Sequence, residues 1–569
     1  MKKLVLAVAV LAAGAGGYWY SQQQGEGAYS NAALDYIPTD TPLFSAQLKP
    51  FPLKDYLTAT AANSVLLSPP AEIDQVMADM DEPAARFGLY LYKAYLEGLK
   101  APDVLLKRFG LADEMRAYTY TLGALPVIRW EAGNPAAFWS LIDEAEKDSG
   151  LQHTKMSVAG QEYRAYRVTD ASDEDFVDFV LAQRDGLITA TFSSSLLEPQ
   201  LLEQALGITK VANPISESTI LSDIIKTHGF MDDSISYINH QELVRALVSG
   251  DNQLGNQLAA IFAKVGDDPL AEIRTPLCQS ELNGIAANWP RTVAGLTSMK
   301  VDSKQASMDM KFVVESKNTV VLNALEKMRG FLPAFVQKPG DAALTMGLGL
   351  DVGELAPSLT KIWNDMLSPR FQCEPLAQWQ AELEQANPAM LGMATGMADG
   401  VKGIGLSVLD FELDLVDEEP QLKKLDSLLS LSADDPAFLL EMVKPFAPML
   451  AGMDLKSGED VDLSGFMPPE LGVSAKLGLR GQHLVLFTGE RSQKLADSLK
   501  GESLSANGIY SMSVDYSRFM GPLMAMLEAT GEPIPPELQG LENYKMNMNM
   551  TMDVVPEGVV IHSGVVTRP

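Results

Sequence analysis

Two stretches of this chain repeat at one spacing, and that repeat limits the folds open to it more than any other feature. Residues 38–48 read PTDTPLFSAQL and residues 339–350 read PGDAALTMGLGL, so Pro38, Asp40 and Leu43 match Pro339, Asp341 and Leu344 at an offset of 301. The same offset returns far downstream, where Ala132-Gly-Asn-Pro-Ala136 matches Ala433-Asp-Asp-Pro-Ala437. Further on, RDGLITATFSSSLLEPQLLEQAL (184–206) parallels RGQHLVLFTGERSQKLADSL (480–499). Both read as a hairpin turn, a strand, and a helix opened by Ser or Thr. A smaller unit, an alternating strand followed by a short amphipathic helix, occurs four times, beginning near Leu43, Ile235, Thr345 and Tyr510. In the last three an Asn or Asp closes the strand, which suits a helix N-cap. A period this long excludes a solenoid and reads as gene duplication. The expected fold is α+β: two homologous lobes, 30–335 and 336–569, each with mainly antiparallel sheets and packed helices.

The N-terminus predicts export. Lys2 and Lys3 precede an uncharged run from Leu4 to Tyr20, and no charge follows until Glu26. Residues 1–24 are therefore read as a signal anchor or a signal peptide. Tyr18-Trp19-Tyr20 suits an interfacial belt on an uncleaved helix, which would make residues 4–20 the partner of the inner membrane and leave the rest in the periplasm. Cleavage near Ala15 would instead release a soluble periplasmic protein. No cysteine follows the apolar run, which excludes a lipoprotein anchor. The glycine-spaced segment 388–400 is too short to span a bilayer and reads as a soluble helix packed through its glycine face.

Charge narrows the partners. The chain carries 74 acidic and 44 basic residues, a net charge of −30, which argues against nucleic acid as a partner. Cys278 and Cys373 are the only cysteines. In an oxidising compartment such a pair is most simply one disulfide; two reduced core cysteines are the other arrangement.

The duplicated strand–helix modules behind an export signal resemble a family of exported bacterial proteins of unknown function. The resemblance spans most of the chain and implies no catalytic residues.

Motifs for chemistry are sparse. YKMNMNMTMDVV (544–555) places Met546, Met548, Met550, Met552 and Val554 on one strand face. A symmetric three-residue loop at 556–558 would set Met552 opposite His562, a thioether–imidazole pair suited to copper. Same-face residues lie roughly 6.6 Å apart, too far for four sulfurs to share an ion, so the face is read as core. Asp460, Asp462, Ser464 and Gly465 resemble a calcium loop, but Leu471 stands where the bidentate glutamate belongs. No two of the five histidines fall at a zinc-binding spacing. Ser358-x-x-Lys361, with Ser505 and Asn507, imitates acyl-enzyme motifs without a K-T-G. No phosphate-binding or dinucleotide loop occurs, so no cofactor is expected. Tyr163, Tyr166, Trp130 and Trp139 are aromatic candidates for a sugar wall. Mean hydropathy is +0.01 despite the charge, so apolar side chains are plentiful. The favoured function is a non-enzymatic binding or scaffold protein of the cell envelope, with an apolar groove for a lipid or a partner protein. The alternative is an envelope hydrolase with unfamiliar motifs.

Overall fold

The computed structural model describes residues 31–568 apart from 62–69, 79, 81, 170–174, 387, 391, 393–394, 417–418, 446–454, 467–473 and 530–544. The fold is α+β with antiparallel strand pairing. The chain divides into two compact units, one of Met1–Glu315 with Thr567–Pro569, the other of Ser316–Val566. The anchor segment 4–20 lies outside the described residues. Among those described, no helix is long and apolar enough to cross a membrane.

The first unit contains β1 (Leu43–Gln47), β2 (Ala117–Leu122), β3 (Leu125–Glu131), β4 (Thr154–Val158), β5 (Gln161–Arg167), β6 (Val177–Arg184), β7 (Leu187–Ser194), β8 (Ser234–Asn239), β9 (Arg291–Asp302) and β10 (Gln305–Glu315). Pairing runs β4-β5-β6-β7-β3-β2-β1-β8-β9-β10, every contact antiparallel. Asp185 and Gly186 both have positive φ, the left-handed pair that a two-residue hairpin needs to follow the strand twist. Phe44, Tyr120 and Tyr237 form one buried row across β2, β1 and β8, with Phe44 stacked on Tyr237 at 5.2 Å. On the opposite face Ser45 Oγ meets Ser236 Oγ at 2.7 Å, so here the small polar face looks away from the aromatic row.

The second unit contains β11 (Leu344–Gly349), β12 (Val401–Val416), β13 (Glu419–Ala433), β14 (Asp460–Asp462), β15 (Ala475–Arg480), β16 (His483–Thr488), β17 (Tyr510–Asp515), β18 (Lys545–Val555) and β19 (Gly558–Arg568). Its pairing runs β14-β15-β16-β13-β12-β11-β17-β18, antiparallel throughout. In both units the first strand lies between the next hairpin and a late strand: β1 between β2 and β8, β11 between β12 and β17.

Helix starts explain part of the sequence repeat. Asn134 accepts from the Ala137 N–H at 3.3 Å and Asp435 from the Phe438 N–H at 2.9 Å, each followed by proline at the first helical position. Asn239 and Asp515 cap the helices after β8 and β17 in the same way. Asp351 instead binds Lys402 Nζ at 2.8 Å. The helices Pro199–Ala205 and Glu490–Ser498 do not begin on Ser or Thr; Glu198 and Gly489 occupy their N-cap positions. Segment 388–400 contains short 3₁₀ turns at Pro388–Met390 and Gly396–Ala398, and nothing lies within 4 Å of a side chain built at Gly396.

The second unit's core packs Phe335, Val336, Leu428, Val485, Phe487, Ala496 and Leu499 against one face of the sheet. On β11 and the facing part of β12 that face is made of small residues. A Cβ on Gly347 would lie 2.8 Å from Val336 Cγ1, and one on Gly405 2.9 Å from Phe335 Cζ. Thr345 and Ser407 on these strands, with Ser430 and Ser432 on β13, are fully buried. Small side chains let the Phe335–Val336 segment press close to the backbone, and this close approach decides which face is inside.

Candidate functional site

Turning the small face inward sends the large apolar residues of the same strands outward. Directly paired residues share a face, so the register lines them up in rungs. One rung runs Met550, Met512, Met346, Leu406, Leu429, Leu486, Leu477 and Val461 across β18, β17, β11, β12, β13, β16, β15 and β14. The next runs Met552, Tyr510, Leu348, Ile404, Leu431, Leu484 and Leu479. The helix Pro436–Val443 covers one end, where Leu440 packs with Leu477, Leu484 and Leu486, and Leu439 with Leu431. The centre is open: Met346, Leu348, Ile404 and Leu429 are 42, 45, 44 and 42 % exposed. Four large apolar side chains on three adjacent strands form a contiguous patch, unlike scattered surface leucines.

The methionine face is therefore only partly core. Met546 and Val554 are buried at its ends, while Met548, Met550 and Met552 are half-buried. The turn after β18 has two residues, Pro556 and Glu557, so the symmetric three-residue loop that would set Met552 opposite His562 is not formed. Met552 pairs with Tyr510, and His562 is exposed on β19.

The other sequence candidates have structural occupations. Asp460 binds Arg480 Nη2 at 2.6 Å, and Arg480, itself 2 % exposed, holds Asp497 with Nε at 2.7 Å. Asp462 accepts from the Ser464 N–H at 2.8 Å, and hydrogen bonds from the Ser464 hydroxyl and N–H hold its carboxyl below the usual range. The remainder of that loop, including Leu471, lies outside the described residues. No group of three or more His, Cys, Asp or Glu side chains among the described residues could hold a metal ion. His483 is fully buried with Nδ1 2.8 Å from Ser432 Oγ, and desolvation lowers its pKa. Ser358 is buried in the helix Val352–Leu367, while Asn507 bonds both the N–H and C=O of Leu332. Cys278 and Cys373 are both buried and disulfide-bonded.

In the first unit Tyr166 is 1 % exposed and donates to Glu146 at 2.6 Å. Trp139 donates to Gln183 and carries the Arg164 guanidinium over its ring at 4.6 Å. Trp130 packs edge-on against Phe138. Trp130, Trp139 and Tyr166 belong to one packed cluster, whereas Tyr163 packs in a second one with Val180, Leu202 and Leu206, so the four candidates are not brought together in one wall. Comparison with protein-family models, with curated proteins and with solved structures returns no match.

Proposed function

We propose that this chain is an exported, non-enzymatic binding protein of the bacterial cell envelope, held at the inner membrane by residues 4–20. Its two units descend from one duplicated gene, a reading supported by the 301-residue offset and the shared strand order. The second unit docks a basic amphipathic helix of a partner protein on the open sheet face around Met346, Leu348, Ile404 and Leu429. The observation that carries this reading is the exposed apolar rung pair itself. Two further features choose the occupant. Residues 316–566 contain 34 acidic and 18 basic residues, so a partner with a cationic polar face is drawn to them. Methionine and leucine side chains adapt to differently shaped apolar stripes, as helix-binding grooves require.

The test is fluorescence anisotropy of a labelled Leu/Lys amphipathic peptide with the full chain. Binding should weaken at least about tenfold, or 1.4 kcal/mol, in Leu348→Glu/Ile404→Glu, and with a scrambled peptide of the same composition. Equal binding by the double variant would sink the docking site. Co-purifying lipid lost in the same variant would replace the helix with an acyl chain as occupant.

A further inference from the structure

Arg129 on β3 is a cation in the interior of the first unit. It is 2 % exposed, and its Nε and Nη1 have no hydrogen-bond partner among the described residues. No carboxylate of the described residues pairs with it. The acid of the neighbouring Ala32–Tyr36 turn, Asp35, is already committed to Lys210 Nζ at 2.5 Å and Ser216 Oγ at 2.7 Å. The guanidinium is a fixed positive charge, so its balance has to come from a partner. An isolated buried ion is costly even after relaxation. The Tyr36 ring, 5.3 Å from the guanidinium carbon, offsets only part of that cost as a cation–π contact.

The surroundings donate and do not accept charge. Tyr118 and Thr189 flank Arg129 in register, and the Tyr118 hydroxyl already donates to Asn31 Oδ1 at 2.8 Å. Tyr120 is completely buried with its hydroxyl beside the Arg129 guanidinium; burial pushes its pKa up, while the Arg129 charge and a hydrogen bond from Arg129 pull it back and leave the hydroxyl proton free to donate. On the Nη2 side Gly207 closes in: with φ +73°, a Cβ there would lie 2.5 Å from that nitrogen. This crowding closes the Nη2 side of the guanidinium and leaves Nε and Nη1 as the donors for a small ion.

We propose that Arg129 and Tyr120 form a binding site for one small monovalent anion, chloride in the cell. The anion accepts from the guanidinium N–H groups and the Tyr120 hydroxyl and supplies the counter-charge that the protein lacks. It is a structural ligand of the first unit, independent of the docking face on the second.

The test uses the full chain unfolded in urea at constant ionic strength, with gluconate replaced stepwise by chloride. One bound anion lowers the unfolding constant about tenfold for each tenfold rise in chloride above saturation. Arg129→Met, of similar length and uncharged, should lose that dependence. An identical chloride slope in Arg129→Met overturns the proposal. Should that variant fail to fold, wild-type crystals grown in bromide decide: an anomalous peak against the guanidinium supports the site, and none there refutes it.

Discussion

Glu315, at the end of β10, offers the sharpest quantitative test of how the first unit is held together. Its carboxylate lies 2.8 Å from His228 Nε2 and accepts from Arg291 Nε at 2.8 Å and Nη2 at 3.1 Å. The His228 side chain is 1 % exposed and that of Glu315 10 %, whereas Arg291 keeps 27 %. Glu315→Gln removes the charge and one acceptor and leaves the basic groups facing an amide. Breaking a buried pair costs about 3–5 kcal/mol, and the partial exposure of Arg291 places this one near 3. Burial alone pushes the Glu315 pKa up, but the bonds from His228 and Arg291 outweigh it and hold the carboxyl below its ordinary 4.5. A depressed folded-state pKa contributes stability that is present above the unfolded value and lost as pH falls through the folded one. Wild type should therefore lead Glu315→Gln by about 3 kcal/mol in urea titrations at neutral pH, and the gap should close as pH drops below about 4.5, where the native carboxyl also gains its proton. A variant as stable as wild type, or a gap indifferent to acid, would refute the reasoning.

Three substitutions and one treatment test the second unit and the covalent frame. Arg480→Ala strands Asp460, leaves Asp497 to Lys500 alone, and should cost about 3 kcal/mol by thermal melting, although no ligand is involved. Gly347→Val, which drives a side chain into Val336, should destabilise by about 1–3 kcal/mol, whereas Met346→Ser next to it should stay within about 0.5 kcal/mol. The reverse order would mean that the faces of β11 have been assigned backwards. Reducing the Cys278–Cys373 bond opens a loop of about 95 residues and should lower stability by up to about 4–5 kcal/mol in denaturant titrations with and without dithiothreitol.

Much of the architecture was legible in the sequence wherever a local device carried it. The Asn-Pro and Asp-Pro helix starts at 134–135 and 435–436, the Asp-Gly turn at 185–186 and the alternating strands at 344–349 and 545–555 all express short-range chemistry. The open apolar face was not legible, for a physical reason. In TMGLGL and GIGLSV the large residues alternate with Gly, Ser and Thr, and hydrophobic patterning assigns the large ones to the core. Only the seating of Phe335 and Val336 against Gly347 and Gly405 reverses that assignment, and this contact joins segments with no sequence signal in common. The Met552–His562 pairing rested on counting turn residues, and one residue fewer removes its basis. Arg129 left no trace at all, since an arginine in a strand ordinarily faces water.

The opposite polarity of β1 and β11 bears on the duplication proposed for this chain. Both strands hold the same place in the order of pairing, yet Ser45 of one meets Ser236 where Met346 of the other meets Met512. If the two units are copies of one gene, as proposed, an exchange between them would plant serines in a ladder of leucines and methionines or methionines in a ladder of serines. Each such exchange would damage one unit, so the two strands could not be made alike without cost to the fold.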